Sequence, residues 1–213
     1  MKEVLNILKQ YRVVPVAAVS VKEQALRLAE VLTEKNLPIL EITFRTSAAS
    51  EAISAVQKNF PELHIGAGTL TSTDALQQAI DAGSQFFVSP GFNPKTVEYA
   101  ALKGVTLIPG VSNPSLVEQA GEYGLNVLKF FPAEHSGGIG MLQAMGAVYP
   151  DVSFIPTGGI TPDNINNYLK LDNVAACGAS WMVSRKLVQD EDWTSIRIRI
   201  DDTLAKVQNI SLS

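Results

Sequence analysis

The sequence predicts an α/β fold, a (β/α)8 TIM barrel with one extra N-terminal helix, and three observations predict it. Short apolar runs recur from end to end at a spacing of about 20 to 25 residues, alternating with amphipathic helical patterns. The runs number eight, the count that a closed parallel barrel requires. No linker or composition break divides the chain, and its 213 residues with 46% hydrophobic content can bury a sizeable core, so residues 1–213 read as a single domain. The rival architecture, a doubly wound open sheet, lacks its Gly-rich fingerprint after the first strand.

The elements follow in order. "MKEVLNILKQY" spaces Val4, Ile7, Leu8 and Tyr11 as one helical stripe. It lacks the unbroken apolar core of a signal peptide. Strand-like runs then begin at Val13 ("VVPVAAV"), Ile39 ("ILEITF"), His64 ("HIGAGT"), Phe86 ("FFVSP"), Thr106 ("TLIPGV"), Val127 ("VLKFFP"), Ser153 ("SFIPTGG") and Val174 ("VAACGAS"). Helical stretches lie between them, among them "VKEQALRLAEVLTEK" and "STDALQQAIDAG". The latter opens on a Ser/Thr/Asp cap and closes at Gly83.

Charge and cysteine usage narrow the function classes. With 17 Lys and Arg against 21 Asp and Glu, a formal charge of −4, the chain offers no basic field for nucleic acid or anionic membrane. No run approaches the roughly 20 apolar residues of a membrane span. The single cysteine, Cys177, has no internal disulfide partner, which suits the cytoplasm. Two distant histidines, His64 and His135, form no ligand cluster, so neither a metal nor any other cofactor is expected. Both histidines are expected to be solvated or to cap loops, Cys177 to pack, and Trp181 and Trp193 to seat helix against barrel.

Charged residues inside strand-like runs carry the functional signal. A period of two places Ile39, Glu41, Thr43 and Arg45 on one face and Leu40, Ile42 and Phe44 on the other. If the apolar face meets the helices, a carboxylate and a guanidinium enter the barrel, where charges are paired or functional. A structural Glu41–Arg45 pair is the bland alternative. The same count aims Lys129 inward, beside Val127 and Phe131. Burial and a neighbouring cation both disfavour an ammonium, and a free amine can attack a ketone. Arg45 could then hold a carboxylate beside that ketone while Glu41 shuttles protons, the roles of a keto-acid lyase. The glycine-rich turns "PTGGITPDN" and "CGASW", leaving consecutive runs, suit a phosphate through backbone N–H groups.

The motifs "EITFRT", "GAGT", "SPGFNP", "PGVSNP", "LKFFPAE", "PTGGI" and "CGASW", in this order over almost the whole chain, resemble the class I aldolases that cleave 2-keto-3-deoxy-6-phosphogluconate (KDPG) and 4-hydroxy-2-oxoglutarate (KHG). The resemblance implies a homotrimeric, metal-independent barrel of the Entner–Doudoroff route that releases pyruvate. It implies Lys129 as the Schiff-base lysine, Glu41 as general acid/base and Arg45 as a ligand of the pyruvate carboxylate. It further assigns Thr69 to pyruvate, Phe131 to the pocket wall, and Thr157, Gly158, Gly159 and Ser180 to the distal, phosphorylated end. Some relatives carry an arginine at the end of the first strand, where this chain has Ala17 and Ala18. Two other readings stand beside the aldolase: a phosphosugar isomerase or epimerase using Glu41 as base, and a keto-acid or phospho-ligand binding barrel without turnover.

Overall fold

The structure is a computed structural model that describes residues 2–208; Met1 and positions 209–213 of the domain drawn over 1–213 lie outside the described residues. Helix α1 (Lys2–Tyr11) precedes strand β1 (Val13–Ala17). It buries Leu8 and packs Val4, Ile7 and Tyr11 against the core, as its stripe predicts. The chain then alternates α2 (Lys22–Glu34), β2 (Ile39–Thr43), α3 (Ala49–Asn59), β3 (His64–Gly68), α4 (Thr73–Asp81), β4 (Phe86–Val88) and α5 (Pro94–Leu102). Ser72 caps α4 by accepting from the Ala75 N–H at 3.1 Å, and Gly83 follows its end at φ +85°. Asn93 caps α5, whose first helical residue is Pro94; Asn113 and Pro114 open α6 (Pro114–Glu122) in the same way.

The fifth apolar run forms two strands, β5 (Leu107–Ile108) and β6 (Gly110–Val111), because Pro109 between them has no N–H to donate to a ladder. Its first half pairs with β4 and its second with β7 (Val127–Phe130). After β7 come a 3-10 turn (Glu134–Ser136), α7 (Gly138–Val148), β8 (Ser153–Pro156), α8 (Ile165–Leu169), β9 (Cys177–Ala179), α9 (Arg185–Gln189) and α10 (Trp193–Gln208). All strand pairs are parallel, in a six-stranded sheet ordered β5-β4-β3-β2-β1-β9 and a three-stranded sheet ordered β6-β7-β8. Beyond the continuous chain at Pro109, two single bridges, Phe154 to Val174 and Thr157 to Gly178, connect the sheets. Helix-facing strand residues such as Leu40, Ile42, Leu128 and Phe130 are wholly buried. Among the described residues no helix is long and apolar enough to cross a membrane.

Candidate active site

Glu41 lies in mid-strand on β2, in register with Val16 of β1 and Gly66 of β3. Lys129 lies on β7, in register with Gly110 and Ile155. β2 and β7 share no ladder, so their side chains meet across the interior. Lys129 Nζ donates to Glu41 Oε1 at 3.4 Å, with the two residues 6% and 5% exposed. Both inward assignments from the period of two therefore hold. The carboxylate occupies space that only a glycine leaves, since a Cβ on Gly68 would stand 1.9 Å from Glu41 Oε1. The Lys129 ammonium also lies 5.5 Å from the Phe131 ring centroid, and Phe131 is half-buried at the end of the same strand.

Arg45 departs from the expected placement. β2 ends at Thr43, so the alternation that aimed Arg45 inward stops two residues before it, and the side chain is exposed at the rim. Arg45 Nε donates to Thr43 Oγ1 at 3.1 Å, and the Thr43 hydroxyl donates to the Ala17 carbonyl at 3.1 Å. Among the described residues Arg45 makes no ion pair, so the structural Glu41–Arg45 pair does not form, and the charged neighbour of Lys129 is the Glu41 carboxylate. Thr69 follows β3 with φ +61°, an outlier for a β-branched residue, and adjoins the Gly68 that underlies Glu41. Outliers of this kind gather at ligand sites.

The residues expected at the distal end of the substrate sit on turns. Thr157 bridges Gly178, while Gly158 and Gly159 follow at φ +95° and +82°, conformations that favour glycine. A Cβ on Gly158 would lie 3.3 Å from the Phe131 ring, which brings this turn beside the Lys129 strand. Ser180 is exposed just beyond β9 and shares a cleft of about 310 Å3 with Arg45, Ala18, Trp181, Ser184 and Arg185. His64 starts β3 with its ring 6.5 Å from that of Tyr11, and His135 is exposed in the 3-10 turn. Cys177 is buried, and burial pushes its thiol far above the ordinary range. Trp181 and Trp193 are half-buried against the core, as expected. Among the described residues no group of three or more His, Cys, Asp or Glu could hold a metal ion.

Non-local packing supplies residues that sequence reasoning did not single out. The Glu134 N–H donates to the Gly158 carbonyl at 3.1 Å, and its Cγ fills the space where a Gly159 Cβ would come within 2.5 Å. The wholly buried Tyr168 of α8 donates its hydroxyl to Glu134 Oε1, and burial followed by that carboxylate raises the phenol's pKa. Glu134 thus ties the end of the Lys129 strand to the diglycine turn. Its place in "LKFFPAE" was visible in the sequence, but its partner 34 residues away was not.

Residues 4–198 match the family model of the KDPG and KHG aldolases. The chain belongs to that family. A 2-dehydro-3-deoxy-phosphogluconate aldolase of Haemophilus influenzae is 40% identical over 195 residues, which cover 92% of each chain. The KHG/KDPG aldolase of Escherichia coli K12 is 39% identical over 191 residues, 90% of each chain. Among solved structures, the KDPG aldolase of Legionella pneumophila superposes with a TM-score of 0.89 at 36% identity, covering 92% of this chain and 95% of that one. In that crystal structure pyruvate is captured at low pH as a covalent carbinolamine. Membership of the KDPG/KHG family makes the interior lysine and carboxylate the centre of the functional question.

Proposed function

We propose that the protein is a metal-independent class I aldolase that cleaves KDPG to pyruvate and glyceraldehyde 3-phosphate, and can also cleave KHG to pyruvate and glyoxylate. The observation that carries this reading is the buried Lys129–Glu41 contact of 3.4 Å, in a chain of the KDPG/KHG family. Proton transfer to Glu41 leaves Lys129 an uncharged amine, which attacks the C2 ketone. The carbinolamine loses water with Glu41 relaying protons. Glu41 then takes the C4 hydroxyl proton, the C3–C4 bond breaks, and the electron pair passes into the protonated imine to give an enamine. The aldehyde leaves, C3 is reprotonated, and hydrolysis releases pyruvate and restores the amine.

In this reading Arg45 and Thr69 hold the pyruvate carboxylate, Phe131 walls the pocket, and the turn Thr157–Gly158–Gly159 with Ser180 receives the distal phosphate. The two sheets work as one closed (β/α)8 barrel with α1 as an extra N-terminal helix. The assembly is a homotrimer in the cytoplasm, and light scattering that returns a monomer mass removes the trimer.

Borohydride trapping tests the mechanism. Pyruvate with borohydride should inactivate the enzyme and add about 72 Da, pyruvate less water plus two hydrogens, to the peptide bearing Lys129. EDTA should leave activity intact, because the imine is the electron sink that a metal would otherwise provide. An unmodified Lys129, under conditions that label a known Schiff-base aldolase, would favour the isomerase or binding reading.

A further inference from the structure

The cleft at the ends of β1, β2 and β9 has an unbalanced charge. The chain has six arginines. Four are satisfied by acceptors: Arg12 by backbone carbonyls of Leu169 and Val174, Arg27 by Glu30, Arg197 by Glu34, and Arg199 by the carbonyl of Trp181. The other two, Arg45 and Arg185, face this one cleft. Arg45 has only the Thr43 hydroxyl, and among the described residues Arg185 has no hydrogen-bond or ion-pair partner. Among the described residues no Asp or Glu lines the cleft, whereas the groove beside Lys22 and Lys58 contains Glu51 and Asp81. In an acidic protein, two guanidiniums left without a carboxylate around about 310 Å3 of open space make a site for an anion.

The other groups around this space favour the same ligand. Ser180 is exposed at its wall, and Trp181, whose buried indole N–H has no hydrogen-bond partner among the described residues, lines it as well. Ala18, which follows β1 between β2 and β9, lines the cleft with a short side chain. Arg45 and Ser180 both line this cleft; with Arg45 read as the ligand of the pyruvate carboxylate and Ser180 as a ligand of the distal group, an anion held near Arg185 is a group at the far end of the substrate.

We propose that Arg185 is a specificity-determining residue, a cation that selects aldol substrates with an anionic distal group, phosphate above all, over the same aldols with an uncharged tail. The proposal rests on the aldolase reading above. It adds to the backbone turn at Gly158 and Gly159 a charge supplied by a side chain from the start of α9. A guanidinium presents a planar pair of N–H donors to a phosphate, whereas an ammonium offers a point charge, so lysine should replace it only in part.

The test is the ratio of kcat/KM for KDPG to that for its unphosphorylated analogue, 2-keto-3-deoxygluconate, in wild type, Arg185→Gln and Arg185→Lys. In Arg185→Gln the ratio should fall about tenfold or more, and in Arg185→Lys it should lie between the other two. Inorganic phosphate should inhibit Arg185→Gln more weakly than wild type. Borohydride trapping of pyruvate on Lys129 and the melting temperature are recorded for every protein. A ratio within twofold of wild type in a folded, pyruvate-trapping Arg185→Gln would overturn the role of Arg185 and leave the aldolase reading standing. A wild type that traps no pyruvate would bring down both.

Discussion

Glu41 and Lys129 stand in mid-strand, each in register with residues of the strands on both sides and barely exposed, whereas Arg45 and Ser180 stand beyond strand ends and Arg185 at the start of α9, all three open to solvent. The interior pair is fixed by ladders that also hold the core, so its geometry costs no separate ordering. At the rim, position comes from hydroxyl tethers such as Thr43 and from left-handed glycines. Reaction chemistry needs atoms held to fractions of an ångström, which a parallel sheet provides. Recognition of a distal anion needs a charge of the right sign at the mouth, which a turn can change without disturbing the core.

Substitutions can break that division, and the largest effect is expected at Lys129, the proposed nucleophile. Lys129→Met retains much of the side-chain volume and should leave a folded protein that neither traps pyruvate nor cleaves substrate, with kcat down about 10⁴-fold or more. Lys129→Arg should fail as well, because a guanidinium stays protonated near neutral pH. Glu41→Gln should lower kcat by about 10²- to 10⁴-fold while pyruvate still binds. Near-normal turnover with a reduced melting temperature would instead assign Glu41 a purely structural part.

Gly68→Ala sharpens the comparison, because its φ is not left-handed and the three atoms nearest an added Cβ all belong to the Glu41 side chain. The new methyl would meet Oε1 at 1.9 Å and push the carboxylate from its place near Lys129. A displacement of about 1 Å predicts a fall in kcat of about 10²-fold. Unchanged turnover would mean that the Glu41 carboxylate need not sit where Gly68 admits it.

The rim should respond differently. Gly159→Ala forces a left-handed φ of +82° and a clash with Glu134, a cost of about 1–2 kcal/mol that lowers Tm by a few degrees. It should raise KM for the phosphorylated substrate more than it lowers kcat; the reverse pattern would detach the diglycine turn from the distal group. Tyr168→Phe removes the hydroxyl that holds Glu134, with a smaller effect of the same kind. Because the folded state raises the phenol's pKa, that contribution is complete below the ordinary tyrosine value of about 10 and is lost as pH rises. Wild type should therefore lose stability above about pH 10 faster than Tyr168→Phe in chemical denaturation. Smallest of all, the buried Cys177 should resist alkylation at pH 8 in the folded enzyme and react once it is unfolded; labelling of folded protein would contradict the burial.

The alternation of apolar runs and helices, the caps at Ser72, Asn93 and Asn113, and the inward aim of Glu41 and Lys129 were all legible in the sequence or follow from local rules. They depend on residues close together in the chain: a period of two, a cap two or three residues from its amide, a strand ended by proline. The same period misplaced Arg45, because alternation holds only while the chain is extended and β2 stops at Thr43. What only the tertiary structure decided was who meets whom across long separations: Lys129 with Glu41 88 residues away, Glu134 with Tyr168, Gly68 beneath a carboxylate, and Arg45 and Arg185 on the lining of one cleft. No periodicity encodes these contacts, since they arise when parallel strands bring remote segments into one interior and their turns to one rim.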